Sequence, residues 1–245
     1  MKVLLFLLAI FVGFRIVLRS AKFKGYAGER KVARKLEKLL KRHDGARVFH
    51  DLVLQTPDGT TQIDHVVLSQ NGIFVIETKN MSGWIFGGGM QRTWTQTIYK
   101  KKSQFQNPLH QNYKHVKALE NLLGLKQGQT ISVVVFVGDA KFKTAMPANV
   151  ITLKGLLPLI ASYSGKVLLD EDIERYSSVL LAVTSNASVT HKEHVTNVRK
   201  NLKNPVCPRC GRPMELRTNM KGRNRGAQFW GCPGFPSCRG TRKVR

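Results

Sequence analysis

The stretch from Gln62 to Lys79, QIDHVVLSQNGIFVIETK, leaves the chain few ways to fold. Two runs rich in Val and Ile flank Asn71-Gly72, the dipeptide that most favours a two-residue hairpin loop, so they read as paired antiparallel strands. With Asn71 and Gly72 as the loop, Gln70 pairs with Ile73, Val66 lies opposite Glu77, and Asp64 lies opposite Lys79. Side chains alternate faces with period two, so Asp64 and Val66 share one face with Val75, Glu77 and Lys79. Two carboxylates and an amine converge there, although Asp and Glu are poor strand residues and a core-facing charge is costly unless paired or bound to a metal. A solvent-exposed ladder of salt bridges is the plain explanation. A divalent-cation site is the sharper one.

The elements around this hairpin describe an α/β fold with a mixed sheet flanked by helices. Upstream, Ala27 to His43 is helical: Val32, Ala33, Leu36, Leu39 and Leu40 recur at threes and fours while Lys and Arg fill the other side. Glu29 falls within roughly 40° of Ala33, Leu36 and Leu40 on the helical wheel, so it points toward the core, although a first-turn carboxylate also suits the helix dipole. A strand from Arg47 to Leu54 and a turn at Pro57-Asp58-Gly59 lead into the hairpin. Beyond it, Gly83 to Phe86 and Thr93 to Tyr99 read as a second hairpin across a triple glycine, with an aromatic face from Trp84, Phe86 and Trp94. Asn107-Pro108 opens a helix, Asn as N-cap and Pro in the first position, that runs to Leu123 and stops at Gly124. On it Gln111 and His115 are one turn apart. Ile131 to Val137 is the continuous apolar run of a strand buried on both faces. Val150 to Leu153 is a short strand, and Gly155 to Tyr163, Asp170 to Val183 and Ser188 to Leu202 are helices.

The 245 residues carry 40 Lys and Arg against 15 Asp and Glu, a formal charge of +25, which calls for a polyanionic partner: nucleic acid, an anionic membrane surface, or both. The surplus is densest from Lys200 to Arg245, where twelve basic residues accompany the single acid Glu215. At the other end Val3 to Leu18 is apolar apart from Arg15. It is slightly short for a spanning helix, but Lys2, Arg15 and Arg19 can snorkel to the headgroups. Cleavage after Ala21 would put Arg19 where a signal peptide needs a small residue, so residues 1–21 read as an uncleaved anchor. The basic residues that follow it place the bulk of the chain in the cytoplasm as a single-pass protein of the cell membrane.

All four cysteines lie in the last 39 residues, as Cys207-x2-Cys210 and Cys232-x5-Cys238. Four thiolates satisfy tetrahedral zinc with no open position, so the ion is structural. Around it Arg209, Arg217, Arg223, Arg225 and Arg239 are interleaved with Phe229, Trp230 and Phe235. Cations hold phosphates and exposed aromatics stack bases, which suits single-stranded nucleic acid; the competing role for Phe229 and Trp230 is the core of so small a module.

Two resemblances add to this. Cys207-Pro208-x-Cys210-Gly211, Phe229-Trp230-Gly231-Cys232 and Pro236-x-Cys238 resemble the C-terminal zinc finger of bacterial type IA DNA topoisomerases, which implies binding of DNA, single-stranded or duplex, rather than catalysis. Asp64 followed by Glu77-Thr78-Lys79 resembles the PD-(D/E)XK nucleases. More closely, residues 25–123 resemble the nuclease-related domain, NERD, through Gly28-Glu29, Ile63-Asp64-His65, the Gly72 to Lys79 strand, Gly83-Trp84, Trp94, and Asn107-Pro108 with Gln111 and His115. Ile63 stands where the nominal pattern has proline. The resemblance implies a restriction-endonuclease-like fold in residues 22–203, ahead of a zinc-ribbon-like module in 204–245. It implies Mg²⁺ or Mn²⁺ held by Asp64 and Glu77, with the Thr78 carbonyl as a further ligand. Lys79 would position a water, Glu29 would serve as outer ligand or anchor, Gln111 would join the site, and His65, on the opposite face, would be structural. The expected activity is metal-dependent phosphodiester hydrolysis of DNA or RNA. The rival is a non-catalytic nucleic-acid-binding or envelope-tethering protein that keeps the fold.

Overall fold

The computed structural model describes residues 21–40, 45–57, 59–125, 128–185, 205, 207, 210, 212–220 and 225–244. The apolar run Val3 to Leu18, the helix expected at Ser188 to Leu202, and Arg209 and Arg223 lie outside them. Among the described residues no helix is long and apolar enough to cross a membrane. Ile63–Val183 and the described residues up to Leu52 form one compact unit; Val53–Gln62 and the described residues from Thr184 form a second.

Helix α1 (Ala21–Leu40) leads to β1 (Arg47–Thr56), β2 (Gly59–Ser69) and β3 (Gly72–Asn80), the far ends of β1 and β2 falling within the second unit. Then come β4 (Gly83–Phe86), β5 (Thr93–Ile98), β6 (Lys101–Gln106) and α2 (Pro108–Leu123). Strands β7 (Thr130–Val137), β8 (Ala140–Phe142) and β9 (Val150–Thr152) precede a 3₁₀ turn (Leu153–Gly155) and helices α3 (Leu156–Ser162) and α4 (Asp170–Ser185). The main sheet has the order β1-β2-β3-β7-β9, with β2 and β3 antiparallel and β3, β7 and β9 parallel. The sheet is therefore mixed. Its centre, β3 and β7, is the Val- and Ile-rich sequence that burial on both faces demands.

Period-two alternation assigns the two faces. Val67, Phe74, Ile76, Val133, Val135 and Val137 pack against Val32, Leu36 and Leu39 of α1 and Leu156 and Ile160 of α3. Val134 and Phe136 point the other way and meet Ile85 and Trp94 of a second, four-stranded sheet, order β6-β5-β4-β8. Helix α2 covers the rest of that side. Its Asn112, fully buried, donates to the Val75 carbonyl at 2.8 Å and the Val133 carbonyl at 3.1 Å, which ties the helix to neighbouring strands.

Two expectations are corrected. The loop of the central hairpin is Gln70-Asn71, not Asn71-Gly72: Ser69 pairs with Gly72, Leu68 with Ile73 and Val66 with Val75. Gly72 opens β3 instead, at φ +134°, a conformation that other residues rarely adopt, and a Cβ there would have to displace the Ile131 Cδ1 methyl at 2.6 Å. The slip is two residues, so every side chain keeps its face. Second, Trp94 does not share a face with Trp84 and Phe86. Phe86 pairs with Thr95 and Trp84 with Thr97, so Trp94 alternates inward, fully buried, while Trp84 is 49% exposed. The loop between the strands decides that parity, and its length alone does not reveal it. The polar sequence of β6, KKSQFQ, and the brevity of β8 hid both edge strands of this sheet.

In the second unit, β10 (Glu215–Thr218), β11 (Gln228–Gly231) and β12 (Thr241–Lys243) form an antiparallel meander around a core of Cys207, Met214 and Cys232, with Trp230 and Cys238 against it.

Candidate active site and four-cysteine cluster

The hairpin register, continued past His65 and Ile76, brings Asp64 beside Glu77. The Thr78 amide N–H donates to Asp64 Oδ2 at 2.7 Å, so the carboxylate is fixed by the neighbouring strand's backbone. Glu77 is 2% exposed and both of its oxygens are engaged. Lys79 Nζ donates to Oε1 at 2.6 Å, and His115 Nε2 lies 3.1 Å from Oε2, where it acts as donor to a carboxylate. Lys79 also donates to Gln111 Oε1 at 2.9 Å. Residues 79, 111 and 115 meet because α2 lies across the face that bears Glu77, and i, i+4 spacing sets Gln111 and His115 on one side of that helix.

Helix α1 supplies the remaining acid. Gly28 lets it pass against the end of β3: a Cβ there would lie 2.6 Å from Asn80 Cβ. Asn80 Nδ2 in turn donates to the Lys24 carbonyl at 2.6 Å. Glu29 is thereby brought within electrostatic reach of Glu77 and Lys79.

The charges do not balance evenly. Burial raises the Asp64 carboxyl well above the ordinary range, Glu77 and Glu29 add to the rise, and the Thr78 N–H and Lys79 oppose it. Burial also pushes Glu77 upward, but the His115 hydrogen bond and the Lys79 charge outweigh it and hold Glu77 below its usual value. Glu29 is raised by burial, then by Asp51 and Glu77. Three carboxyls thus share one region in which a single amine faces Glu77, and a bound cation would relieve the repulsion that raises Asp64 and Glu29. The donor set, the carboxylate oxygens of Asp64 and Glu77, is of the hard-oxygen kind that Mg²⁺ or Mn²⁺ takes. The residues fit the ion.

Of the remaining contributors, His115 stood in the sequence one turn from Gln111 with a packed helix-face role and an active-site role equally open, and the spacing did not reveal that it meets Glu77. Asp51 gave no signal at all. It sits within β1 at φ +52°, a left-handed conformation that Asp tolerates better than most residues, and its charge acts on Glu29 and on His50. His65 lies on the opposite face from Asp64, buried, with its Nδ1 2.7 Å from His50 Nδ1. Burial, then His50, pushes it down to about 3, so it is neutral and packs as a structural residue.

A model of the nuclease-related domain, NERD, matches residues 24–137, which hold every one of these side chains. An uncharacterised protein of Bacillus anthracis is 37% identical over 205 residues, covering 80% of this chain and 95% of that one. The chain carries a NERD domain. A crystal structure of a protein of unknown function, AF1548, also aligns, covering 72% of this chain and 97% of its own at 14% identity and a TM-score of 0.32. In this NERD-domain protein the matched residues end with β7 and leave out the cysteines.

The four cysteines lie apart from that match and form a cluster of their own. Their sulfurs all fall within 4.8 Å of one another, with Cys207 to Cys238 at 3.6 Å and Cys210 to Cys232 at 3.4 Å. A tetrahedron with Zn–S arms of about 2.3 Å has edges of roughly 3.8 Å. The cluster therefore fits zinc. Of the aromatic residues, Trp230 packs against the cysteine core, whereas Phe229, next to it, points to the other face of the meander opposite Arg217. Phe235 is 61% exposed, and Arg225 and Arg239 are exposed.

Proposed function

We propose that this NERD protein is a membrane-anchored, Mg²⁺- or Mn²⁺-dependent nuclease whose C-terminal zinc module binds DNA. The observation that carries the reading is the convergence of Asp64, Glu77 and Lys79 with Gln111, where the Lys79 ammonium is held between a carboxylate and an amide. Asp64 and Glu77 are the residues that would hold the cation. Such an ion, when bound, polarises a phosphodiester and makes a water more acidic. Lys79 keeps a proton donor at the mouth of the carboxylate pair, where it can orient a water or meet negative charge developing on phosphate. Gln111 fixes the direction of that ammonium. His115 holds Glu77 in place by its second oxygen, and Glu29 closes the site from α1.

The zinc module, with its resemblance to the topoisomerase finger, would hold DNA through Arg217, Arg225, Arg239 and the aromatic rings of Phe229 and Phe235, with Arg209 and Arg223 adding charge. The anchor, Val3 to Leu18, would keep this activity at the cytoplasmic face of the cell membrane.

One observation favours a second reading, a non-catalytic nucleic-acid-binding or tethering protein: both Glu77 oxygens already have donors from the protein itself. The deciding experiment incubates labelled single- and double-stranded DNA and RNA with the protein, with Mg²⁺ or Mn²⁺ and with chelator, beside calorimetric titration of each ion. Wild type should bind the ion and cleave. Lys79→Ala should still bind it while cleavage falls by about a hundredfold or more, and Asp64→Asn should lose both together. Wild-type protein that neither binds the ion nor cleaves would establish the tethering role.

A further inference from the structure

Between Glu77 and Glu120 the chain contains no acidic residue, and this stretch supplies three of the four strands of the second sheet. The fourth, β8, adds Lys141 and is followed by Lys143. The inner face of the sheet is spent on packing: Ile85, Trp94, Phe105 and Phe142 meet Val134 and Phe136. Its outer face carries the exposed side chains of Trp84, Lys102 and Lys141 around a buried Thr97. Register places Lys141 beside Trp84, Trp84 opposite Thr97, and Thr97 opposite Lys102, one row across all four strands. Trp84 is 49% exposed and takes the Lys143 ammonium over its ring at 4.7 Å. At the end of the β5–β6 hairpin Tyr99 is 97% exposed at φ +51°, a conformation that a bulky residue rarely adopts, and Lys100 to Lys102 follow it.

Lysines on edge strands β6 and β8 would by themselves discourage pairing with another sheet. That purpose does not call for an exposed tryptophan on the inner strand β4, nor for an aromatic ring at a strained turn. We propose that the outer face of the β6-β5-β4-β8 sheet is a docking surface for single-stranded nucleic acid, with Trp84 stacking a base and Lys102, Lys141 and Lys143 holding phosphates. None of the four strands contains a carboxylate; the nearest acid is the exposed Asp139 just ahead of β8, outnumbered by Lys102, Lys141 and Lys143. The rings of this surface suit unpaired bases, because duplex bases are already stacked on one another. Strand β4 begins shortly after Lys79, so nucleic acid held here stays on the domain that carries the carboxylates. The inference rests on the nucleic-acid side of the function proposed above and not on turnover.

The test uses the full chain in an Asp64→Asn background, so that cleavage plays no part, and measures anisotropy of a labelled single-stranded oligonucleotide over a series of salt concentrations. Trp84→Ala should weaken binding about five- to tenfold, and Trp84→Phe should restore most of it, since a phenyl ring still stacks. The pair Lys141→Gln with Lys143→Gln changes only exposed side chains and should make the slope of log K against log salt shallower by about 1.4. Unchanged affinity and slope in both would overturn the proposal. The same variants are compared on vesicles of phosphatidylcholine with and without phosphatidylglycerol. Loss of vesicle binding with oligonucleotide binding intact would assign the face to anionic lipid and equally overturn it. Failure of cleavage in the wild type would leave these binding results standing, so the two readings fall separately.

Discussion

Lys79→Ala tests whether the Lys79–Glu77 contact is a true charge pair in the core of the site. Removing one partner of a fully buried ion pair costs roughly 3–5 kcal/mol, because the other charge stays desolvated. Here the Glu77 side chain is 2% exposed but that of Lys79 is 21% exposed, and Glu77 keeps its contact with His115. The expected loss is therefore lower, about 2 kcal/mol. In a Glu77→Gln background no charge is left stranded, and the same Lys79→Ala change should cost about 0.5 kcal/mol. The coupling between the two positions is then about 1.5 kcal/mol, well outside the scatter expected of independent sites. Urea denaturation of the four proteins measures it, followed by tryptophan fluorescence with Trp230→Phe throughout, so that the remaining Trp84 and Trp94 report on the first unit alone. A coupling below about 0.3 kcal/mol would refute the reasoning and reduce the contact to a surface pair.

Three further outcomes are expected. Because the folded protein raises the Asp64 carboxyl above its ordinary value of 3.8, the native state holds that proton after the unfolded chain has lost it, so stability falls as pH rises through that window. Asp64→Asn should escape this loss: in divalent-free buffer its urea midpoint should exceed that of wild type at neutral pH and converge with it below pH 3.8, and a pH-independent difference would contradict the account. Cys207→Ser, or removal of zinc by chelator, should unfold β10–β12 while Trp94 fluorescence keeps its native maximum, since thiolate-bound zinc supplies much of the folding free energy of so small a module; metal analysis and amide NMR dispersion check both halves. Asn107→Ala should cost about 1–2 kcal/mol in the urea titration, because it removes the N-cap and the amide's hydrogen bonds to the loop carbonyls.

Much of the site was legible because the strand period is two. Asp64, Glu77 and Lys79 fall on one face for any hairpin loop that preserves parity, so the slipped register at Gly72 moved the pairing without dispersing the carboxylates. Asn107, Pro108 and Gly124 were equally readable, since each residue type does at a helix end what few others can: Asn107 Oδ1 accepts from the Leu109 N–H at 2.9 Å, and Gly124 takes the left-handed cap. What stayed hidden depended on tertiary approach. His115 meets Glu77 across 38 positions of sequence, Asp51 acts through a strained backbone that no pattern announces, and the parity of Trp84 against Trp94 is set by the path of a glycine-rich loop.

That loop is held in an unusual way. The Asn107 amide group donates to the carbonyls of Gly88, Gly89 and Gln91 while its oxygen caps α2, so one side chain joins the loop to the helix that carries Gln111 and His115. Glycine-rich connections between short strands are ordinarily where homologous chains gain and lose residues most freely. In this protein such drift would pull on the start of α2 and shift the ammonium's amide partner with it. The latitude left to evolution, or to an engineer seeking an insertion point, narrows to the tip around Met90, whose side chain is 95% exposed.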